Sequence, residues 1–270
     1  MRISVIVPTY KPDDYLWECL DSLRLQTLPN DQYEVVLVLN GCNAPYLDRI
    51  NNYIKVHSEL IIRFVQTDVP GVSNARNIAI EKSEGEYITF IDDDDFVSPS
   101  YLEELYKVSS PQTVGLCYPL SFVDGEDTYT PYSITSDYKE DKLGETMSYK
   151  QARKYFSGPV YKLIHRSIIA DRRFDVRFKN GEDSLFMFLI SDRLNNVCFT
   201  PKDAIYYRRV RNNSATTKKT NTFQVFKNLM KLALSYTKIF LSRPGKYSFS
   251  FYSTRIMGIA HSFIQTLHKN

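Results

Sequence analysis

Four consecutive aspartates, Asp92 to Asp95, follow the apolar run Tyr87 to Ile91. Adjacent carboxylates repel one another unless water or a cation screens them, and a hard divalent ion with oxygen ligands is their natural partner. Mg2+ takes one or two protein carboxylates and fills its shell with water and substrate phosphates. A solvated acidic turn would look the same in sequence. A second acidic pair, Glu182-Asp183, follows Asn180-Gly181 at the head of a helical pattern. The helix dipole favours acids there, so capping explains the pair without any chemistry. One of the two carboxylates would also suit general-base work on a hydroxyl. Arg208, Arg209 and Arg211 fall within four positions. Their guanidiniums match a diphosphate, or simply line a basic surface loop. Gly71-Val72-Ser73-Asn74-Ala75-Arg76-Asn77 joins a glycine to a helix start, where free amides suit an anion.

The first hundred residues carry the elements that would position these groups. Ile3 to Val7, Val35 to Leu39, Leu60 to Val65 and Tyr87 to Ile91 read as strands. Asp13 to Leu25, Tyr46 to His57 and Val72 to Lys82 read as helices. Their alternation predicts an α/β fold with a mostly parallel central sheet and helices on both faces. Ligands of such sheets bind beyond the carboxyl ends of the strands. Three loops there are polar: Thr9-Tyr10, Asn40-Gly41-Cys42 and Asp92 to Asp95. Further on, Leu102 to Val108 and Glu182 to Leu189 read as helices, and Val114 to Val123 and Ala204 to Tyr207 as strands. Asp124 to Gly144 reads as an exposed polar excursion.

Composition narrows the class. The 270 residues are 43% hydrophobic and 14% aromatic, which is globular. Cys19, Cys42, Cys117 and Cys198 make no C-x-x-C pair, so free thiols in a reducing compartment are expected. The four histidines show no metal-ligand spacing. The opening apolar run is too short for a signal peptide, and no stretch approaches the roughly 20 apolar residues of a membrane span. Charge is uneven: Ala204 to Asn270 holds twelve Lys and Arg and no acid, leaving 22 basic and 31 acidic residues before it. An acid-free basic tail on an acidic body suggests an anionic partner for the tail.

Together and in this order, the motifs resemble those of family 2 glycosyltransferases. Val5-Ile6-Val7-Pro8-Thr9-Tyr10 is similar to that family's first strand and donor loop, and the Gly71 to Asn77 segment to its G-x-S-x-A-R-N helix start. Phe90 to Asp95 looks like its D-x-D-D metal motif, Gly181-Glu182-Asp183 like its E-D motif, and Tyr207 to Ser214 like its closing R-x-x-S segment. The likeness covers residues 2 to 215 and implies the GT-A fold, with 216–270 as a basic amphipathic helical appendage. It implies an inverting, Mn2+- or Mg2+-dependent transfer of a hexosyl or N-acetylhexosaminyl group. The donor would be a nucleotide diphosphate sugar, UDP first among candidates, and the acceptor a saccharide or lipid-linked saccharide of a cell-surface polymer.

Carried over by residue, the resemblance makes Asp183 the base, with Glu182 as rival, and Asp94 the metal ligand. Pro8, Thr9, Tyr10, Asn40, Arg76, Asp92, Asp93, Arg208 and Arg211 would meet the donor. Asn40 stands where relatives often have Asp, and no His lies near the closing segment. Both departures bear on the nucleotide and on the metal shell.

The tail, Phe223 to Leu241 and Phe249 to Leu267, reads as a helical pair broken at Arg243-Pro244-Gly245. Packing on the body as ordinary core is one expectation. Lying on an anionic membrane at the inner, cytoplasmic face is the other. Among other activities, a sugar-nucleotide nucleotidyltransferase would need a glycine-rich first loop, which Pro8-Thr9-Tyr10-Lys11-Pro12 is not. A dehydrogenase would need G-x-G-x-x-G. A non-catalytic homologue binding nucleotide sugar at a membrane would not need both acidic motifs intact. No nucleic-acid recognition motif is present.

Overall fold

The computed structural model describes residues 1–126, 128–211 and 222–268. In chain order the strands are β1 (Ile3–Thr9), β2 (Tyr33–Asn40), β3 (Ile62–Thr67), β4 (Tyr87–Phe90), β5 (Phe96–Val97), β6 (Thr113–Leu116), β7 (Tyr118–Val123), β8 (Tyr129–Pro131), β9 (Met147–Ser148), β10 (Lys162–His165), β11 (Asn196–Phe199) and β12 (Ile205–Val210). The helices are α1 (Tyr15–Arg24), α2 (Tyr46–Val56), α3 (Val72–Lys82), α4 (Tyr101–Val108), α5 (Arg166–Ile169), α6 (Glu182–Leu189), α7 (Thr222–Ser242) and α8 (Phe249–His268).

An eight-stranded sheet runs β3-β2-β1-β4-β10-β6-β11-β9. β3, β2, β1 and β4 are mutually parallel, and β10 lies antiparallel between β4 and β6. Every residue of β1, β2 and β4 is buried, as strands covered on both faces require. α1 turns Leu16, Cys19, Leu20 and Leu23 inward at helical spacing. α3 buries Ala75 and Ala79 and lies close against β1 and β2. Gly85 lets the backbone before β4 touch β1: a Cβ there would collide with the Ser4 amide nitrogen.

A second, four-stranded sheet runs β5-β12-β7-β8. It corrects two expectations. The apolar run Val114 to Val123 is two strands in different sheets, parting at Cys117, whose N–H donates to the Tyr161 carbonyl. Apolar run length carries no information about which sheet each end joins. The polar excursion is also not fully exposed. β8 pairs with β7, Tyr138 is 8% exposed and its hydroxyl donates to the Thr200 carbonyl at 2.5 Å.

α7 and α8 form an antiparallel hairpin, with Phe240 stacked on Tyr252 and Phe226 beside Phe263. It docks on α6 through Leu232, Tyr236, Tyr247 and Phe251, all buried, and Phe188 of α6 contacts the last three rings. The packed-hairpin expectation therefore describes this inner face. The outer face leaves Phe223, Leu234, Leu241, Phe249 and Met257 exposed. The expected boundary at residue 215 lies outside the described residues.

Candidate active site

The three polar loops meet beyond the carboxyl ends of β1, β2 and β4. The Thr9 hydroxyl donates to Asp93 at 2.5 Å, and the Asn40 amide donates to the Thr9 carbonyl at 2.7 Å. Asn40 in turn accepts from the Gly71 N–H at 2.8 Å. Gly71 sits at φ 135°, a conformation favouring glycine, and starts α3. Asn40 is 4% exposed with both ends of its amide engaged. It braces the end of β1 against the start of α3. Pro8 is buried within β1, whereas Tyr10 is half exposed at the rim.

Arg76 is the centre of the arrangement. It is 3% exposed, and its guanidinium bonds Asp183 at 2.5 Å and Asp92 at 2.9 Å. One cation thus joins the aspartate quartet to the head of α6. Burial alone would lower the guanidinium's pKa, but Asp183, Asp92 and Glu182 outweigh it and hold the proton. The ring of Phe174 lies 5.3 Å from its charge. Asn77 fixes the same loop through two bonds with Phe174, donating to its carbonyl at 2.9 Å and accepting from its N–H at 2.8 Å. The G-x-S-x-A-R-N segment therefore acts as a clamp between the two acidic regions.

The quartet divides into different environments. The Asp92 side chain is 41% exposed. Asp93 is held by Thr9, and burial pushes its carboxyl up to about 7. Asp94 bonds Arg211 at 2.6 Å and is 18% exposed. Burial, then the Asp92 charge, raises its pKa. Asp95 is an internal brace: it accepts from the Tyr206 hydroxyl and the Arg209 N–H, each at 2.7 Å. Tyr206 also accepts from the Asp92 N–H at 3.2 Å.

The arginine cluster divides likewise. Arg209 is pinned by Glu18, Asp124 and the Asp94 carbonyl. Arg208 lies over Tyr132, and Arg211 over Tyr15 with its other end on Asp94. Asn212 to Ser214 of the closing segment fall outside the described residues.

The two α6 carboxylates also differ. Asp183 keeps 34% of its side chain exposed, and burial raises its pKa against the pull of Arg76. Glu182 is 8% exposed with Oε2 unpartnered. Burial, then the Asp183 charge, pushes it up to about 6. Three further buried atoms nearby lack partners, Ser73 Oγ, Arg76 Nε and Arg211 Nε. Buried polar atoms are nearly always paired, so unpaired ones gathered here fit a site that takes a polar ligand.

Among the described residues no three His, Cys, Asp or Glu side chains form a ready metal cage. Asp92 and Asp94 still suit a hard cation whose shell is completed by phosphate oxygens and water. Sequence reasoning missed Tyr206 and the fully buried Lys162 of β10. Neither has a sequence signal beyond its residue type.

The family model for glycosyl transferase family 2 matches residues 4–173. A poly(ribitol-phosphate) β-glucosyltransferase of Bacillus spizizenii is 30% identical over 194 residues, 69% of this chain and 29% of that protein. Glycosyltransferase GlyA of Streptococcus pneumoniae is 30% identical over 224 residues, 77% of this chain and 30% of its own. The chain thus spans about a third of the length of these curated relatives. Among solved structures, Staphylococcus aureus TarS 1–349 in complex with UDP matches with a TM-score of 0.72 at 22% identity, covering 96% of this chain and 71% of that one. A mannosyltransferase of Pyrobaculum calidifontis, in complex with GDP-Man and Mn2+, matches with a TM-score of 0.62 at 20% identity, covering 97% and 69%. The fold is GT-A, and the chain belongs to glycosyl transferase family 2.

Proposed function

We propose that this chain is an inverting, metal-dependent glycosyltransferase that moves a hexosyl or N-acetylhexosaminyl group from a UDP-sugar to a hydroxyl of a cell-surface polymer. The observation that carries this reading is Arg76 joining Asp92 to Asp183, which sets a candidate donor carboxylate and a candidate base on one guanidinium. UDP is favoured because TarS is known in complex with UDP and with UDP-GlcNAc. A polymer acceptor is favoured because the Bacillus relative and TarS are poly(ribitol-phosphate) transferases by name.

In this reading Asp183 takes the proton of the acceptor hydroxyl as that oxygen attacks the anomeric carbon. The carbon–oxygen bond to the diphosphate breaks in the same displacement. Burial makes Asp183 a stronger base than a solvated aspartate, while Arg76 keeps it ionised. Its exposure favours it over Glu182, which faces inward. Asp92, Asp93, Thr9 and Tyr10 line the donor side, and Arg211 with Arg208 faces the diphosphate. Mn2+ or Mg2+, held by Asp94 with Asp92, would supply charge neutralisation for the leaving diphosphate. The exposed apolar outer face of α7 and α8 supports placement at an anionic membrane, on its cytoplasmic side. Among the described residues no helix is long and apolar enough to cross a membrane.

The test is Asp183→Asn assayed with UDP-GlcNAc and UDP-glucose. Transfer should fall by about 10²–10⁴-fold, the usual worth of a positioned base, with donor affinity within about twofold of wild type. Loss of donor binding together with turnover would move Asp183 into the donor shell. Unchanged transfer would hand the role to Glu182.

A further inference from the structure

Between the hairpin and the start of α6 lies a cleft of about 860 Å³. Arg177, Lys179, Lys231 and Arg255 line it, together with Ser184 and Asn228, and among the described residues no carboxylate does. Arg177 is already neutralised by Asp175 at 2.6 Å. Lys179 and Lys231 are exposed and have no carboxylate partner among the described residues. Arg255 is the anomaly. One of its terminal nitrogens donates to the Phe156 carbonyl at 2.6 Å, its charge lies 4.6 Å from the Phe251 ring, and its Nε is buried without a partner. Burial lowers its pKa, and among the described residues Tyr236, not a carboxylate, opposes the shift. The fully buried Lys162 lies within electrostatic reach of Arg255, and its Nζ donates to the Gly158 and Val160 carbonyls at 2.6 and 2.5 Å. Arg255, half-buried, has no carboxylate partner among the described residues, so an anion entering the cleft would meet the uncompensated charges of Arg255, Lys179 and Lys231.

The cleft also has a definite position. Gly181 and Ser184 line it, while Glu182 and Asp183, in the same turn, belong to the candidate active site. Ser184 directly follows Asp183 in α6, so the cleft wall and the proposed base are neighbours in the chain.

We propose that this cleft binds a phosphate group carried by the acceptor, held by Arg255, Lys179 and Lys231, so that a hydroxyl of the adjoining unit reaches Asp183. The acceptor class is thereby a phosphodiester-containing polymer rather than a neutral glycan. The placement beside Asp183 rests on the proposed transferase reading; the oxyanion site itself does not.

The experiment uses the full chain saturated with UDP, so that the donor site is filled, and titrates inorganic phosphate by calorimetry. It compares wild type with Lys179→Glu/Lys231→Glu, whose positions are exposed, and with Arg255→Gln checked for folding by circular dichroism. Phosphate should bind wild type and bind the double variant at least tenfold more weakly, with UDP affinity unchanged. In a transfer assay the KM for a polyol-phosphate oligomer should rise at least tenfold, with acceptor-free UDP-sugar hydrolysis unchanged. Equal phosphate affinity in wild type and double variant, or none in wild type, overturns the proposal. So does a defect confined to phosphatidylglycerol vesicles, which would assign the lysines to a lipid surface. If the wild type hydrolyses and transfers no sugar yet loses phosphate with the lysines, the transferase reading falls and the oxyanion site stands.

Discussion

Replacing Arg76 with glutamine removes the cation that bonds both Asp92 and Asp183. The guanidinium is 3% exposed, with bonds of 2.5 and 2.9 Å to the two carboxylates. Breaking a buried pair costs about 3–5 kcal/mol, because the partner charge is left uncompensated. Asp92 is 41% exposed and water would partly serve it, so the penalty should come mainly from Asp183 and lie near the lower end, about 3 kcal/mol. The effect should depend on pH. Burial already raises the Asp183 pKa, and Arg76 is what opposes that rise. Without Arg76 the folded-state pKa climbs further, so the variant's folded state keeps a proton that the unfolded chain has lost. Its stability then falls as pH rises from the unfolded value near 4 through the raised folded value. Each tenfold gain in the carboxylate's proton affinity adds about 1.4 kcal/mol to the deficit at high pH. Urea denaturation of both proteins at pH 5 and pH 8 measures this directly. A larger deficit at pH 8 is expected, and Arg76→Gln/Asp183→Asn should recover part of it. A deficit under about 1 kcal/mol, or one equal at both pH values, would show that Arg76 does not hold these charges.

Three other outcomes are expected. Gly181 sits at φ 86°, and a Cβ there would meet Leu232 of α7 at 2.6 Å; Gly181→Ala should cost about 1–3 kcal/mol in denaturation and loosen the hairpin, and a neutral result would mean α7 yields freely. Burial lowers Lys162 to about 7. The unfolded chain therefore binds its proton more tightly between about pH 7 and 10, and stability should rise across that window in wild type but not in Lys162→Met; parallel pH curves would refute a weakened hold on the Lys162 proton in the fold. For the hairpin's outer face, Phe223→Ser/Leu234→Ser/Leu241→Ser should abolish co-flotation with phosphatidylglycerol vesicles, and unchanged recovery would rule out membrane docking through this face.

The half of the fold that was legible is the half with regular patterning. β1, β2 and β4 are buried on both faces and built from β-branched and aromatic residues, so they stand out as apolar runs. β10 is invisible in sequence because its first residue is Lys162, a charge in the core. β6 and β7 merge because only tertiary pairing separates them. The site was legible as a set of motifs but not as a division of labour. Asp95 and Asp94 are neighbours of the same type, yet one braces Tyr206 and Arg209 while the other meets Arg211. Asn40 illustrates the same limit, since nothing in its type reveals that both ends of its amide are used by backbone groups of Thr9 and Gly71.

In the proposed transferase, the acidic and basic stretches close around a cation-bridged diphosphate. Calorimetric titration of UDP into wild type and Asp94→Asn, each with and without Mn2+, tests that closure most directly. Binding to wild type should strengthen at least tenfold with Mn2+, and the variant should lose that gain. UDP affinity that ignores the metal, or a variant that still responds to it fully, would contradict a cation held between Asp94 and the diphosphate.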